Sequence, residues 1–140
     1  MTDECVFCRI AAGQESASLV YEDNLAVAFL DLHPVHAGHT LVVPRYHLTD
    51  LRDCDGALAA HLFAVSARLA PAITRAMEAD GFNIWTAAGR AAGQSVFHLH
   101  LHVLPRFFGD VFGPRLPKEG LVAATRSDLD RVAARIRAAG

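Results

Sequence analysis

An α+β fold, with helices packed to one side of an antiparallel five-stranded sheet, follows from two features of this 140-residue chain. Five short stretches carry strand-like apolar patterning, and one long stretch of helical periodicity lies between the third and the fourth. The most informative of the strands is the last. Phe97, Leu99, Leu101 and Val103 alternate with His98, His100 and His102, so a strand there turns the apolar residues to a core and the three imidazoles to the opposite face.

Taken in order, Leu19 to Tyr21 and Leu25 to Asp31 read as a hairpin around Glu22-Asp23-Asn24. A third strand runs from about Thr40 to Tyr46, a fourth from about Phe82 to Thr86, and the histidine strand from Phe97 to Leu104. Between Asp55 and Ala79, apolar residues recur at Leu58, Leu62, Val65, Leu69, Ile73 and Met77, a stripe of helical spacing. Pro71 falls inside it and predicts a kink or a local break. Ser127-Asp128-Leu129-Asp130 resembles a capped start to a short C-terminal helix over residues 131–139. Residues 1–110 are expected to form the main domain, with 111–140 a tail of the same single domain.

Composition narrows the function classes. A formal net charge of −2 gives no electrostatic case for a nucleic-acid partner. No apolar run is expected to reach the about 18–20 residues of a membrane span, and the N-terminus lacks a basic segment followed by an apolar one, so a cytoplasmic protein is expected. Three cysteines are too few, and odd in number, for a secreted disulfide framework.

Cys5-Val6-Phe7-Cys8 has the two-residue gap that lets two thiolates reach one zinc, which needs two further ligands to close. The same spacing also fits a redox pair, or a pair with no role. The histidines likewise leave three readings: a catalytic metal held by two of them, a division of labour into structural, nucleophilic and polarising rings, or a polar solvated face. Alternate strand residues stand about 6.6 Å apart, so the outer pair converges on one ion only with a bend. Gly89-Arg90-Ala91-Ala92-Gly93-Gln94-Ser95, a small-residue loop entering this strand, favours the division of labour. Its glycines allow close backbone approach and its amides can face an anion, a setting for phosphorus chemistry.

The run Ala91 to Arg106, with its core Gly93-Gln94-Ser95-Val96-Phe97-His98-Leu99-His100-Leu101-His102, resembles the signature of the histidine triad (HIT) nucleotide hydrolases and transferases. Ala28-Phe29-Leu30-Asp31 and Gly38-His39-Thr40-Leu41-Val42-Val43-Pro44-Arg45-Tyr46-His47 resemble the other recurrent block of its bacterial branch, and the likeness spans about residues 4–108. The resemblance implies that His100 is the nucleophile, attacking the α-phosphorus of a nucleotide to form a covalent nucleotidyl-histidine that water hydrolyses. His102 would contact a phosphate oxygen, and His39 would lie across the phosphate or ribose pocket. Gln94, Ser95 and the backbone of Gly93 would meet the phosphate and the leaving group, and Asp31 the ribose hydroxyls. It further implies a structural zinc on Cys5, Cys8, His47 and His98, no catalytic metal, a purine nucleotide substrate and a homodimer.

Within that resemblance, the expected substrate is a nucleoside phosphoramidate or an adenylate. A dinucleoside polyphosphate, or nucleotide binding with weakened turnover, is the alternative. One departure bears on this. Where the family commonly carries Asn or Gln two residues before Gly89, this chain has Ala87, which offers no side-chain donor. Thr86 is a candidate replacement and Trp85 a candidate pocket wall. His33, His36 and His61 read as surface residues, Cys54 as incidental, and Arg106 as either solvated or paired with a phosphate.

Overall fold

The computed structural model describes residues 4–113, 116–118 and 120–140. The chain divides into two compact units, residues 1–110 and 111–140. In the first, a short helix α1 (Val6–Ala11) precedes strands β1 (Leu19–Glu22), β2 (Ala26–Leu30) and β3 (Thr40–Pro44). A long helix α2 (Gly56–Ala76) then leads to β4 (Gly81–Trp85) and β5 (Leu101–Arg106). The strands form one sheet in the order β1-β2-β3-β5-β4, every neighbour antiparallel. In the second unit, α3 spans Arg126–Ala139.

Local chemistry sets the boundaries. Asp23 closes the β1–β2 hairpin: one carboxylate oxygen accepts from the N–H groups of Leu25 and Ala26, and the other from the Tyr21 hydroxyl. His61, anticipated as a solvated residue, instead reaches that second oxygen from α2 at 2.7 Å. Asp55 caps α2 by accepting from the Leu58 N–H. Contrary to expectation, α2 runs through Pro71 without a break and stops at Ala76. The cap of α3 also sits earlier than expected, at Thr125, which shares a reciprocal capping box with Asp128.

Both faces of the sheet are buried, which explains why β2 and β3 read as continuous apolar runs. On one face Ala26, Ala28, Val42, Leu99, Leu101 and Val103 pack with Leu58, Leu62, Val65 and Ala70 of α2. On the other, Val27, Phe29, Leu41 and Val43 pack with Phe7 and Ile10 of α1. By length and composition α2 is long and apolar enough to cross a membrane. Here its apolar stripe is spent on the sheet.

The histidine segment differs most from expectation. β5 begins only at Leu101, so of the three triad histidines only His102 lies in a strand, and His98 and His100 sit in the irregular segment before it. Alternation still holds for Leu99, Leu101 and Val103, which are buried in the α2 core. Phe97 breaks it, being 40% exposed with the Arg90 guanidinium 5.5 Å from its ring centre. His98 and His100 are themselves buried, because Phe7 of α1 lies edge-on to both rings.

Candidate active site and metal centre

The loop into β5 is shaped by two glycines at positive φ, Gly89 at 89° in an extended conformation and Gly93 at 90° in the left-handed one. Gln94 closes it. Its backbone N–H donates to the Gly89 carbonyl, and its side-chain oxygen accepts from the Gly89 N–H at 2.8 Å. Its amide nitrogen donates to the carbonyls of Thr49 and Val96. Expected to meet phosphate, Gln94 is instead 4% exposed, with three hydrogen bonds to the scaffold and no place in the cavity lining. Gln94→Ala therefore orphans a loop N–H, and we expect it to lower stability by about 1–3 kcal/mol, read from urea unfolding.

Each histidine ring is fixed by its neighbours. His100 Nδ1 lies 2.7 Å from the His98 carbonyl oxygen, which only accepts, so Nδ1 carries the proton and the Nε2 lone pair of the neutral ring is left over. The His100 carbonyl accepts from the Thr86 hydroxyl at 2.7 Å. Thr86 thus holds the His100 backbone instead of replacing the donor absent at Ala87. His39 Nδ1 accepts from the Val35 N–H, which leaves the proton on Nε2, and that Nε2 donates to His102 Nδ1 at 2.9 Å. By the same reasoning His102 keeps its proton on Nε2.

Burial pushes the pKa values of His39 and His100 below the ordinary histidine value. For His102, burial first and then the neighbouring His100 and His39 push it down to about 4. The unfolded chain then binds a proton at His102 near pH 6.5, and the folded chain only near pH 4. Stability is full above about pH 6.5 and falls as the pH drops through that window. We expect a lower urea midpoint at pH 5 than at pH 7, and a smaller difference between the two in His102→Asn.

A cavity of about 430 Å³ opens onto these rings, a volume within the range of small-molecule sites. Val6, Phe7, Ile10, Phe29, Leu30 and Leu41 supply an apolar lining, and Asp31, His33, Ser95, His100 and His102 a polar one. His39 is buried and lies outside the lining, so it acts on the cavity through His102, where the sequence reading set it across the pocket.

Cys5, Cys8, His47 and His98 bring one ligand atom each within 4.8 Å of one another. His98 Nδ1 stands 3.4 Å and 3.5 Å from the two sulfurs, and His47 Nδ1 3.3 Å from that of Cys8. Around a tetrahedral zinc, with Zn–S about 2.3 Å and Zn–N about 2.0–2.1 Å, sulfur and nitrogen ligands stand about 3.5 Å apart. His98 Nε2 donates to the Pro44 carbonyl at 2.9 Å, which fixes the tautomer that turns a lone pair to the sulfurs. Burial and the adjacent Cys5 push the Cys8 thiol up to about 11, opposite to the lowered thiol of a redox pair. Asp31, His39 and His102 also approach within 4.8 Å, but the Nδ1 atoms of both rings are already engaged in the hydrogen-bond chain.

Residues 12–109 match the family model described as the HIT domain. The chain belongs to the HIT family. It is 42% identical over 112 residues to Protein hit of Bacillus subtilis, covering 79% of this chain and 77% of that one. It is 34% identical over 106 residues to the adenylylsulfatase HINT3 of Arabidopsis thaliana, covering 76% of this chain and 54% of the relative. Among solved structures, SMU.412c of Streptococcus mutans superposes with a TM-score of 0.90 at 38% identity, over 98% of this chain and 85% of that one. A zinc-bound histidine triad family protein of Mycobacterium smegmatis superposes with a TM-score of 0.75 at 38% identity, over 98% of each chain.

Other residues of this HIT chain were read differently in the sequence. Arg106 is engaged with Asp110 and with the Asn83 side-chain oxygen, not turned to a phosphate. His36, taken as a surface residue, is paired with the same Asp110 at 3.1 Å. Phe7, Ile10, Phe29 and His33 line the cavity without having been singled out for it. The continuous apolar run of β2 marks Phe29 as buried, but its place against the cavity depends on α1, which the sequence reading did not anticipate.

Proposed function

We propose that this HIT chain is a nucleotide hydrolase or transferase acting at the α-phosphate of a nucleoside phosphoramidate or adenylate through a covalent intermediate on His100. One observation carries the reading: the His98 carbonyl holds the Nδ1 proton of His100, leaving Nε2 as a lone pair on a ring that lines the cavity beside His102. In the first step Nε2 attacks phosphorus, the bond to the leaving group breaks, and the leaving group departs with its electron pair. Water then displaces His100 and releases the nucleoside monophosphate.

His102 offers its Nε2–H to a phosphoryl oxygen, with Ser95 and the Gly93 backbone around the same phosphate. Asp31 accepts from ribose hydroxyls at the cavity wall, and a purine base occupies the apolar lining of Phe7, Ile10 and Phe29. Cys5, Cys8, His47 and His98 hold a structural zinc, supported by their spacing and by the zinc-bound relative. Bound there, zinc cross-links α1 to the catalytic segment. The reaction as proposed calls for no catalytic metal, since the Nε2 lone pair of His100 is itself the nucleophile.

A homodimer joined through α2 and β4 fits the exposed Phe63 at 52% and Phe82 at 44%, and the place of β4 at the sheet edge. Free cysteines at a thiolate metal site suit a cytoplasmic setting. Ala87 favours a second reading, nucleotide binding with slow turnover.

A substrate panel separates these readings. Adenosine phosphoramidate, adenylyl sulfate and diadenosine tetraphosphate are compared for AMP release with and without EDTA. The proposal expects turnover of one of the first two that persists in EDTA. Preference for the third supports the polyphosphate alternative, nucleotide binding without AMP release supports the second reading, and loss in EDTA while the zinc of the Cys5–Cys8–His47–His98 site is retained points to a catalytic metal.

A further inference from the structure

Trp85 is the single tryptophan of the chain and ends β4, where the antiparallel register sets it directly opposite His102. Opposed residues of neighbouring strands share a face, and here their rings stack. The indole and the imidazole lie 4.3 Å apart between centres with 6° between their planes. The same indole sits 6.1 Å from His39, the residue that donates to His102 Nδ1.

These contacts do different things to His102. A hydrogen bond at Nδ1 fixes one atom of the ring but lets the plane turn about the axis through that bond, which carries the Nε2–H with it. A flat aromatic face lying parallel to the ring stops that rotation, and a branched aliphatic side chain of similar volume does not. His100, edge-on at 4.9 Å, limits the ring from another side.

We infer that Trp85 is a positioning residue that sets the ring plane of His102 and so aims its Nε2–H at the phosphoryl oxygen. The inference rests on the reaction proposed above. It also assigns a role to the residue next to the loop that lacks an amide donor at position 87: where Ala87 offers the leaving group no side-chain hydrogen bond, the precision of His102 carries more of the stabilisation of the transferring phosphoryl group.

The test measures kcat and KM for adenosine phosphoramidate in the natural protein, Trp85→Phe, Trp85→Leu, His102→Ala and the Trp85→Leu/His102→Ala double variant. In parallel, NMR follows the ring protons of His102, assigned by their loss in His102→Ala. Trp85→Leu is expected to lower kcat about tenfold with KM within about threefold, and Trp85→Phe to recover most of the loss. Because Trp85 acts through His102, Trp85→Leu is expected to cost less than about twofold once His102 is gone. The His102 ring protons are expected upfield in the natural protein and displaced downfield in Trp85→Leu.

The inference is overturned if Trp85→Leu is neutral, if it costs as much with His102 absent, if Trp85→Phe is as slow as Trp85→Leu, or if the ring protons show no upfield shift. Absence of phosphoramidate turnover in the natural protein counts against the reaction, and the ring-proton shifts then decide whether Trp85 sets the ring plane of His102. They do so even where a variant fails to fold, since the upfield shift is read in the natural protein.

Discussion

His100→Ala is expected to lower turnover by about 10⁴-fold or more, the scale on which removal of a covalent nucleophile acts. The expectation comes from the tautomer chain. Among the imidazoles lining the cavity, His100 has its Nδ1 proton committed to the His98 carbonyl, and burial keeps the ring neutral. His102 differs: its Nδ1 accepts from His39, so its cavity-side group is a donor and not a lone pair. His102→Ala should therefore be milder, about 10²–10³-fold, the cost of losing one donor to a developing charge. Steady-state assays on the two variants, with circular dichroism to check the fold, give this ordering directly. Equal losses would mean that the two rings do the same job.

Loss of the metal ligands is the second large effect. Cys8→Ser is expected to lower stability by about 3 kcal/mol, a fall in melting temperature on the order of 10 °C for a domain of this size. Metal content should drop from about one zinc per chain to near zero. The effect extends to the reaction because His98 has two roles: its ring nitrogen faces the sulfurs, and its carbonyl holds the Nδ1 proton of His100. Phe7, between the two cysteines in sequence, lies 5.3 Å from the His100 ring. Releasing the Cys5–Cys8 segment thus loosens a wall of the cavity and the acceptor that orients the nucleophile, and turnover should fall about tenfold. Calorimetry and elemental analysis on the variant test the first part, and kcat the second.

Much of the fold was legible because it is written in local periodicity. Leu58, Leu62 and Val65 mark the face of α2 that meets the sheet, and the hairpin follows from apolar runs around a turn that Asp23 then closes. The convergence of Cys5, Cys8, His47 and His98 was legible through the Cys5–Cys8 spacing together with the family resemblance that pointed to the two histidines.

What was not legible depends on contacts between residues distant in sequence. Gln94 sits in a phosphate-binding pattern, yet its amide is claimed by the carbonyls of Thr49 and Val96 and by the Gly89 N–H. Pro71 did not break α2, whose inner face packs against the sheet core on either side of it, at Val65 and Ala70 before it and at Ile73 after it. The stack of Trp85 on His102 exists only in one register of β4 against β5, which no periodicity in either strand fixes.

The most direct test of the covalent reading is a rapid-quench experiment with adenosine phosphoramidate labelled at phosphorus. The account predicts label on the natural protein within one turnover, lost in acid and kept in alkali as a phosphorus–nitrogen bond requires, and no label on His100→Ala. Turnover with no labelled protein at any quench time, or label that persists in His100→Ala, would contradict it.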